Sequence, residues 1–270
     1  MKKIELHSLL GKVEFVTRKV GEIIEEAAIN RNFIIETKSY NNLVTEIDKK
    51  TEEKLIEHLG ALLPEAGFIA EEDSISRATA DYQWIIDPID GTTNFVHGLP
   101  IFCISIGLAF KNEVILGVIY NPINEELFSA YKGGGAYLNS RPIEVSKTDA
   151  LNDSLLATGF PYDDFERESE YLKLLQELMH KSRGIRRLGS AAIDLAYVAC
   201  GRFEAFYEYG LNPWDVAAGI IIVQEAGGKV CDFKGGKNML FGEEIIASNG
   251  KIDQELVQII GDSFPNNSNK

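Results

Sequence analysis

The stretch Trp84-Ile85-Ile86-Asp87-Pro88-Ile89-Asp90-Gly91-Thr92-Thr93-Asn94-Phe95 runs from an apolar strand pattern into a turn that holds two acids and two hydroxyl residues. Residues 84–86 read as the end of a buried strand. Pro88 offers no N–H and forbids simple continuation of a ladder, so the chain bends there. Asp87 then aims past the sheet edge, and the bend brings Asp90 back beside it. Gly91 permits a sharp turn into Thr92, Thr93 and Asn94, residue types that cap helices. The amides of Gly91, Thr92 and Thr93 are expected to point outward at that helix start, where unpaired N–H groups and the helix dipole favour an anion. Two carboxylates this close repel unless something positive lies between them. Mg²⁺ takes oxygen ligands and bridges readily to phosphate, so the segment predicts a metal beside a phosphate. The competing reading is an ordinary Asp-Pro-Gly surface turn. That reading does not account for both acids at a strand end with hydroxyl residues directly after.

A catalytic cation needs at least one further acid from elsewhere in the chain. Pro213-Trp214-Asp215 opens an expected helix, and Asp215 reads equally well as that ligand or as an N-terminal cap. Upstream, the apolar run 67–70 ends in Glu71-Glu72, and of two adjacent acids on a strand one faces inward and the other solvent. The four histidines, His7, His58, His97 and His180, stand singly, and no Gly-x-Ser-x-Gly elbow is present, so a nucleophilic hydrolase lacks its parts. His97 reads as packing or surface rather than as a general acid.

Composition narrows the remaining classes. With 270 residues and 45% hydrophobic content, the chain has enough apolar material for one large domain or two closely packed halves. A net charge of −14 argues against nucleic acid, which needs clustered Lys and Arg. The same charge suits a phosphorylated substrate only when cations invert the potential at the site. No long apolar run suggests a signal peptide or membrane span, so a cytoplasmic location is expected. Cys103, Cys200 and Cys231 are widely spaced in apolar surroundings and read as reduced core thiols.

Along the chain, Val13, Val16, Val20, Ile23, Ile24 and Ala27 recur at helical spacing. Residues 45–63 form a second helix, with Thr45 as its cap and Pro64 as its stop. Residues 102–110 and 114–120 make a hairpin with one bulky face and one face of small residues, suited to close helix packing. Lys132-Gly133-Gly134-Gly135 lacks the ending of a phosphate loop and reads as a tight bend or bulge. Helices at 163–181, 190–200 and 214–226, a strand at 203–207, then two strands and a last helix suggest a layered second half.

The signature at 87–95 resembles that of the inositol monophosphatase family, Mg²⁺-dependent and lithium-sensitive phosphomonoesterases. Three further segments resemble that family in order: Asn42-Leu43-Val44-Thr45-Glu46-Ile47-Asp48, Gly67-Phe68-Ile69-Ala70-Glu71-Glu72-Asp73, and Pro213-Trp214-Asp215 with Gln224-Glu225-Ala226-Gly227-Gly228. The resemblance implies an α/β (α+β) layered sandwich, with helix layers alternating with a larger, mostly antiparallel N-terminal sheet and a smaller C-terminal one. It implies one phosphatase unit over residues 1–262, halved at about 146, with 263–270 as a loose tail.

The resemblance also implies roles. Glu71, Asp87 and the Ile89 carbonyl would hold one Mg²⁺, and Asp87, Asp90 and Asp215 a second. A third, weaker ion would lean on Glu71, with Asp48 nearby. Glu71 and Thr92 would orient the attacking water. Asp90, Gly91, Thr92, Thr93, Ser190, Ala191, Glu208 and Asp215 would meet the substrate, with Arg187 touching substrate or a partner subunit. Lys38 matches a mobile-loop lysine, and a homodimer is implied. Asn212 stands where animal members carry a histidine, which puts strict inositol selectivity in doubt. The rival readings are a sugar bisphosphatase or nucleotide phosphatase of the same superfamily and, in another class, a noncatalytic acidic protein that binds divalent cations.

Overall fold

The computed structural model describes residues 5–39, 42–72, 80–160 and 165–264. Five layers follow from which faces of each element are apolar. Helices α1 (Leu6–Asn30) and α2 (Glu46–Leu62) form the outermost layer. Thr45 caps α2, as its sequence predicts, and Asp48 adds the reciprocal half of a capping box. A two-stranded ribbon, β1 (Ile35–Ser39) with β2 (Asn42–Thr45), joins the two helices.

The second layer is a seven-stranded sheet. In order it holds β3 (Gly67–Ala70), β4 (Tyr82–Asp90), β5 (Cys103–Phe110), β6 (Glu113–Asn121), β7 (Glu126–Tyr131), β8 (Ala136–Leu138) and β9 (Arg141–Ile143). Only the β3 and β4 pair is parallel; the other neighbours are antiparallel. Trp84, Ile86, Ile104, Ile106 and Leu108 face α1 and α2, packing with Val13, Ile24, Leu55 and Leu59.

The opposite face of this sheet meets α5 (Ala191–Ala199) and α6 (Pro213–Glu225), which form the middle layer. Small residues bring them close. A Cβ at Gly107 would lie 2.7 Å from that of Ala217, and one at Gly117 would lie 2.6 Å from the Ala218 carbonyl oxygen. The small-residue face of the β5–β6 hairpin therefore has the use its sequence suggests.

The fourth layer is a five-stranded mixed sheet ordered β11-β10-β12-β14-β13. Its strands are β10 (Leu155–Thr158), β11 (Gly184–Arg186), β12 (Ala205–Tyr209), β13 (Lys229–Cys231) and β14 (Glu244–Ser248). Helices α4 (Glu168–Lys181) and α7 (Asp253–Ser263) cover its outer face, where Leu174, Leu178, Leu256 and Ile260 pack on Leu156, Tyr207 and Ile246. The short α3 (Thr92–His97) follows β4.

Several boundaries differ from the sequence expectations. β4 does not stop at Ile86 but runs through Pro88 to Asp90, absorbing the proline in a register shift between Asp87 and Asp90 against β5. α4 begins at Glu168 rather than near 163, and the strand expected at 203–207 lies at Ala205–Tyr209. Residues 163 and 164 lie outside the described residues. Of the segment expected as a loose tail, Ser263 and Phe264 are ordered parts of the fold, and residues 265–270 lie outside the described residues. α7 extends through Ser263, and Phe264 is buried, with its ring 5.7 Å from that of Tyr209 and 5.1 Å from that of Phe233. The glycine-rich bend joins β7 to β8, and the amides of Gly133 and Gly135 donate to the Glu225 carboxylate. It is a nest filled by the protein's own acid at the end of α6.

Candidate active site

The end of β4, the loop after it and the N-termini of α5 and α6 meet in one cleft. Glu71, Asp87, Asp90, Thr92, Glu208 and Asp215 all line it, as do Gly91, Thr93, Ser190, Ala191 and Arg187. Segments far apart in sequence thus contribute to one site.

Three carboxylates form its centre. One oxygen each from Asp87, Asp90 and Asp215 lies within 4.8 Å of the other two. Each acid is held by a backbone N–H. Ile89 donates to Asp87 Oδ1 at 2.9 Å, Ala192 to Asp90 Oδ2 at 2.7 Å and Asn212 to Asp215 Oδ2 at 2.7 Å. The last bond completes a capping box for α6, so the cap reading of Asp215 is met while the same side chain stands in the acid cluster. The Ser190 hydroxyl also donates to Asp90 Oδ2, at 2.6 Å, while capping α5.

Electrostatics follow from this crowding. Burial raises the Asp87 carboxyl well above its ordinary value, and the neighbouring Glu71, Asp90 and Asp215 raise it further. Burial likewise pushes Asp90 up to about 6, opposed by its bonds to Ser190 and Ala192. Asp215 is raised by burial and by Asp90. Acids held together in this way are favoured as carboxylates only when a cation joins them. The donor set of oxygens alone suits a hard divalent ion.

Behind the cluster, Asp48 is fully buried and does not itself line the cleft. Its Oδ2 accepts the Thr45 amide at 2.8 Å, and its Oδ1 accepts the Thr92 hydroxyl at 3.0 Å. Thr92 Oγ1 also lies 2.9 Å from the Ile89 carbonyl oxygen. Thr92 therefore does not cap α3, contrary to the sequence expectation; Gly91 is the N-cap residue, in the left-handed region at φ 96°. A Cβ there would lie 2.9 Å from the Ile101 carbonyl oxygen, so glycine is required on two grounds. Glu71 stands at the cleft directly after β3, whereas the Glu72 amide turns to the Glu52 carboxylate. Lys38 runs in β1, and its side chain lies outside the described residues. His97 is exposed at the end of α3, away from the cleft.

Other residues of the site are not evident from sequence. Asn94 Nδ2 donates to the carbonyl oxygens of Ile101 at 2.7 Å and Leu188 at 2.9 Å, stitching α3 to the loop before α5. Gly159 lies against Glu208, where any Cβ would collide with the carboxylate. Asp194 on α5 lines the cleft and is buried. Its one sequence signal is a lone acid in the apolar run Ala191-Ala192-Ile193-Asp194-Leu195-Ala196.

The layered fold and the acid cluster beside a helix start define a phosphatase. The chain matches the sequence model of the Inositol monophosphatase family over residues 6–263 and belongs to that family. It is 38% identical over 246 residues to an inositol-1-monophosphatase of Mesorhizobium japonicum, covering 91% of this chain and 90% of that protein. It is 40% identical over 254 residues to the Nus factor SuhB of Pseudomonas aeruginosa, covering 92% and 94%. Among solved structures, the extragenic suppressor protein suhB of Bartonella henselae superposes with a TM-score of 0.88 at 39% identity, covering 94% of this chain and 98% of that one. No helix among the described residues is long and apolar enough to cross a membrane.

Proposed function

We propose that this protein is a cytoplasmic, Mg²⁺-dependent phosphomonoesterase that hydrolyses myo-inositol 1-phosphate and related small polyol or sugar monophosphates. The observation that carries this reading is the convergence of Asp87, Asp90 and Asp215 within 4.8 Å, in one cleft with Glu71 and the Gly91 to Thr93 backbone. Glu71, Asp87 and the Ile89 carbonyl would hold one Mg²⁺, and Asp87, Asp90 and Asp215 a second; Glu71, backed by Asp48, would serve a third, weaker ion. When bound, Mg²⁺ supplies a more acidic water and neutralises charge on phosphate and leaving oxygen.

The chain's own residues do the positioning. Thr92 has one hydroxyl proton, directed at Asp48 or at the Ile89 carbonyl, which leaves its oxygen able to accept from the attacking water. Glu71 takes that water's other hydrogen. The Gly91, Thr92 and Thr93 amides bind phosphate oxygens; water attacks phosphorus in line as the ester P–O bond breaks, with no covalent phosphoenzyme, and the departing oxygen takes its proton from solvent. Glu208, with the main chain near Ser190 and Ala191, receives the alcohol, and Arg187 counters charge at that end of the cleft. Release of phosphate from a panel of monoesters, with Mg²⁺ and with a chelator, tests the reading. Mg²⁺-dependent release from myo-inositol 1-phosphate is expected; no release from any ester would leave the noncatalytic cation-binding reading standing.

A further inference from the structure

Asp194 is the acid in the cleft that the proposed chemistry does not use. It sits in the first turn of α5 at 1% exposure, and its Oδ1 is buried with no hydrogen-bond partner among the described residues. The α5 amides do not satisfy it, because Ala192 donates to Asp90 and Ile193 to the Ser190 hydroxyl. Nor is it a fourth member of the acid cluster, which comprises Asp87, Asp90 and Asp215. The charged groups that act on it are Glu208, Asp90 and Arg187, all of which line the same cleft. A buried carboxyl oxygen without a partner is disfavoured unless something polar arrives to meet it.

We infer that Asp194 is a specificity-determining residue that hydrogen-bonds a hydroxyl of the leaving group beside Glu208. The two carboxyls come from adjacent elements, α5 and β12, and both are buried at the cleft wall. Together they form a paired reader for a polyol that offers neighbouring hydroxyls. Gly159 supports the pairing, since it leaves room for the Glu208 carboxylate at that wall. An ester whose alcohol carries no further hydroxyl leaves Asp194 unmet. This inference rests on the phosphatase reading and deepens it.

The test compares kcat/KM for myo-inositol 1-phosphate and for p-nitrophenyl phosphate, which has no hydroxyl on its leaving group, in the wild type, Asp194→Ala and Asp194→Asn, with melting temperatures alongside. Asp194→Ala should lower the value for the inositol ester by roughly tenfold while leaving p-nitrophenyl phosphate within about twofold. Asp194→Asn, which keeps a hydrogen-bonding group, should recover part of the loss. The melting temperature of Asp194→Ala should hold or rise, because an unpartnered buried carboxyl is removed. An equal loss on both esters, no loss on either, or an Ala variant that unfolds while Asp194→Asn keeps the wild-type ratio would each overturn the inference. A wild type inactive on both esters would instead overturn the phosphatase reading itself.

Discussion

Ser190 donates a 2.6 Å hydrogen bond to Asp90 Oδ2 across 100 positions of sequence. The bond joins the helix start in the C-terminal half to the strand end in the N-terminal half. Ser190 caps α5 with the same oxygen, so the position of Asp90 and the start of that helix are set together. Asp90 is thereby fixed before any ligand arrives, which is what a charge-dense site needs if ordering is not to be repeated at each turnover.

Asp90→Asn should keep this bond, since an amide oxygen also accepts, yet remove charge from the cluster. Turnover is expected to fall by roughly 100-fold or more. The melting temperature of the metal-free variant should be equal to or above that of the wild type, because carboxylate repulsion is relieved. Near-normal turnover would remove Asp90 from the proposed metal ligands.

Magnesium should stabilise the folded protein more at about pH 8 than at about pH 5.5. Burial raises the folded-state values of Asp87, Asp90 and Asp215. Over the window between ordinary carboxylate values and these raised ones, the metal-free folded state holds protons that the unfolded chain has released. That stability is present at low pH and is lost as pH rises through the raised values. Magnesium needs the deprotonated acids, so its effect has the opposite slope. At a hundredfold excess over Kd the gain at the higher pH is about 2.7 kcal/mol, or about 5 °C in melting temperature. Scanning calorimetry with and without Mg²⁺ reads both slopes, and a pH-independent shift would place the ion elsewhere.

Gly117→Ala should destabilise the fold by about 1–3 kcal/mol, because the new methyl meets the Ala218 backbone 2.6 Å away. α6 carries Asp215, so activity should fall along with stability. Gly11→Ala, on the exposed face of α1, is the control. Its Cβ meets nothing within 4 Å, and it should stabilise by about 0.5–1 kcal/mol. Denaturant titration of both variants measures the contrast; equal effects would mean that the sheet is not in close contact with α6.

Light scattering should give a homodimer, a particle near twice 30.0 kDa. A particle of monomer mass would contradict the expectation drawn from the family resemblance.

On a substrate panel, 2′-AMP, glycerol 2-phosphate and fructose 1,6-bisphosphate should compete well with myo-inositol 1-phosphate. Most of the binding energy is expected from phosphate, the metal ions and the Gly91 and Thr92 amides, which read no sugar. Asn212 contributes its backbone to Asp215 and stands exposed at the cleft. Hydrolysis confined to one inositol phosphate would show that the alcohol end is read far more strictly than this.

What the sequence determined by itself was local. The 84–95 segment encodes a buried strand, a proline break, a glycine turn and two acids within a few residues, and each feature acts over that same short range. The small-residue face of the β5–β6 hairpin also foretold a close helix neighbour, though not that α6 would be that helix. Tertiary structure decided everything that depends on convergence. Asp215 read equally as cap or ligand because the two roles differ only in what lies across the cleft from α6. Thr92 read as a cap because Asp48, 44 positions away, becomes its partner only when α2 packs against β4. Phe264 read as tail because its packing partners Tyr209 and Phe233 come from distant segments. Asp194 carried almost no sequence signal, since burial without a partner is a property of the space around a side chain rather than of its neighbours along the chain.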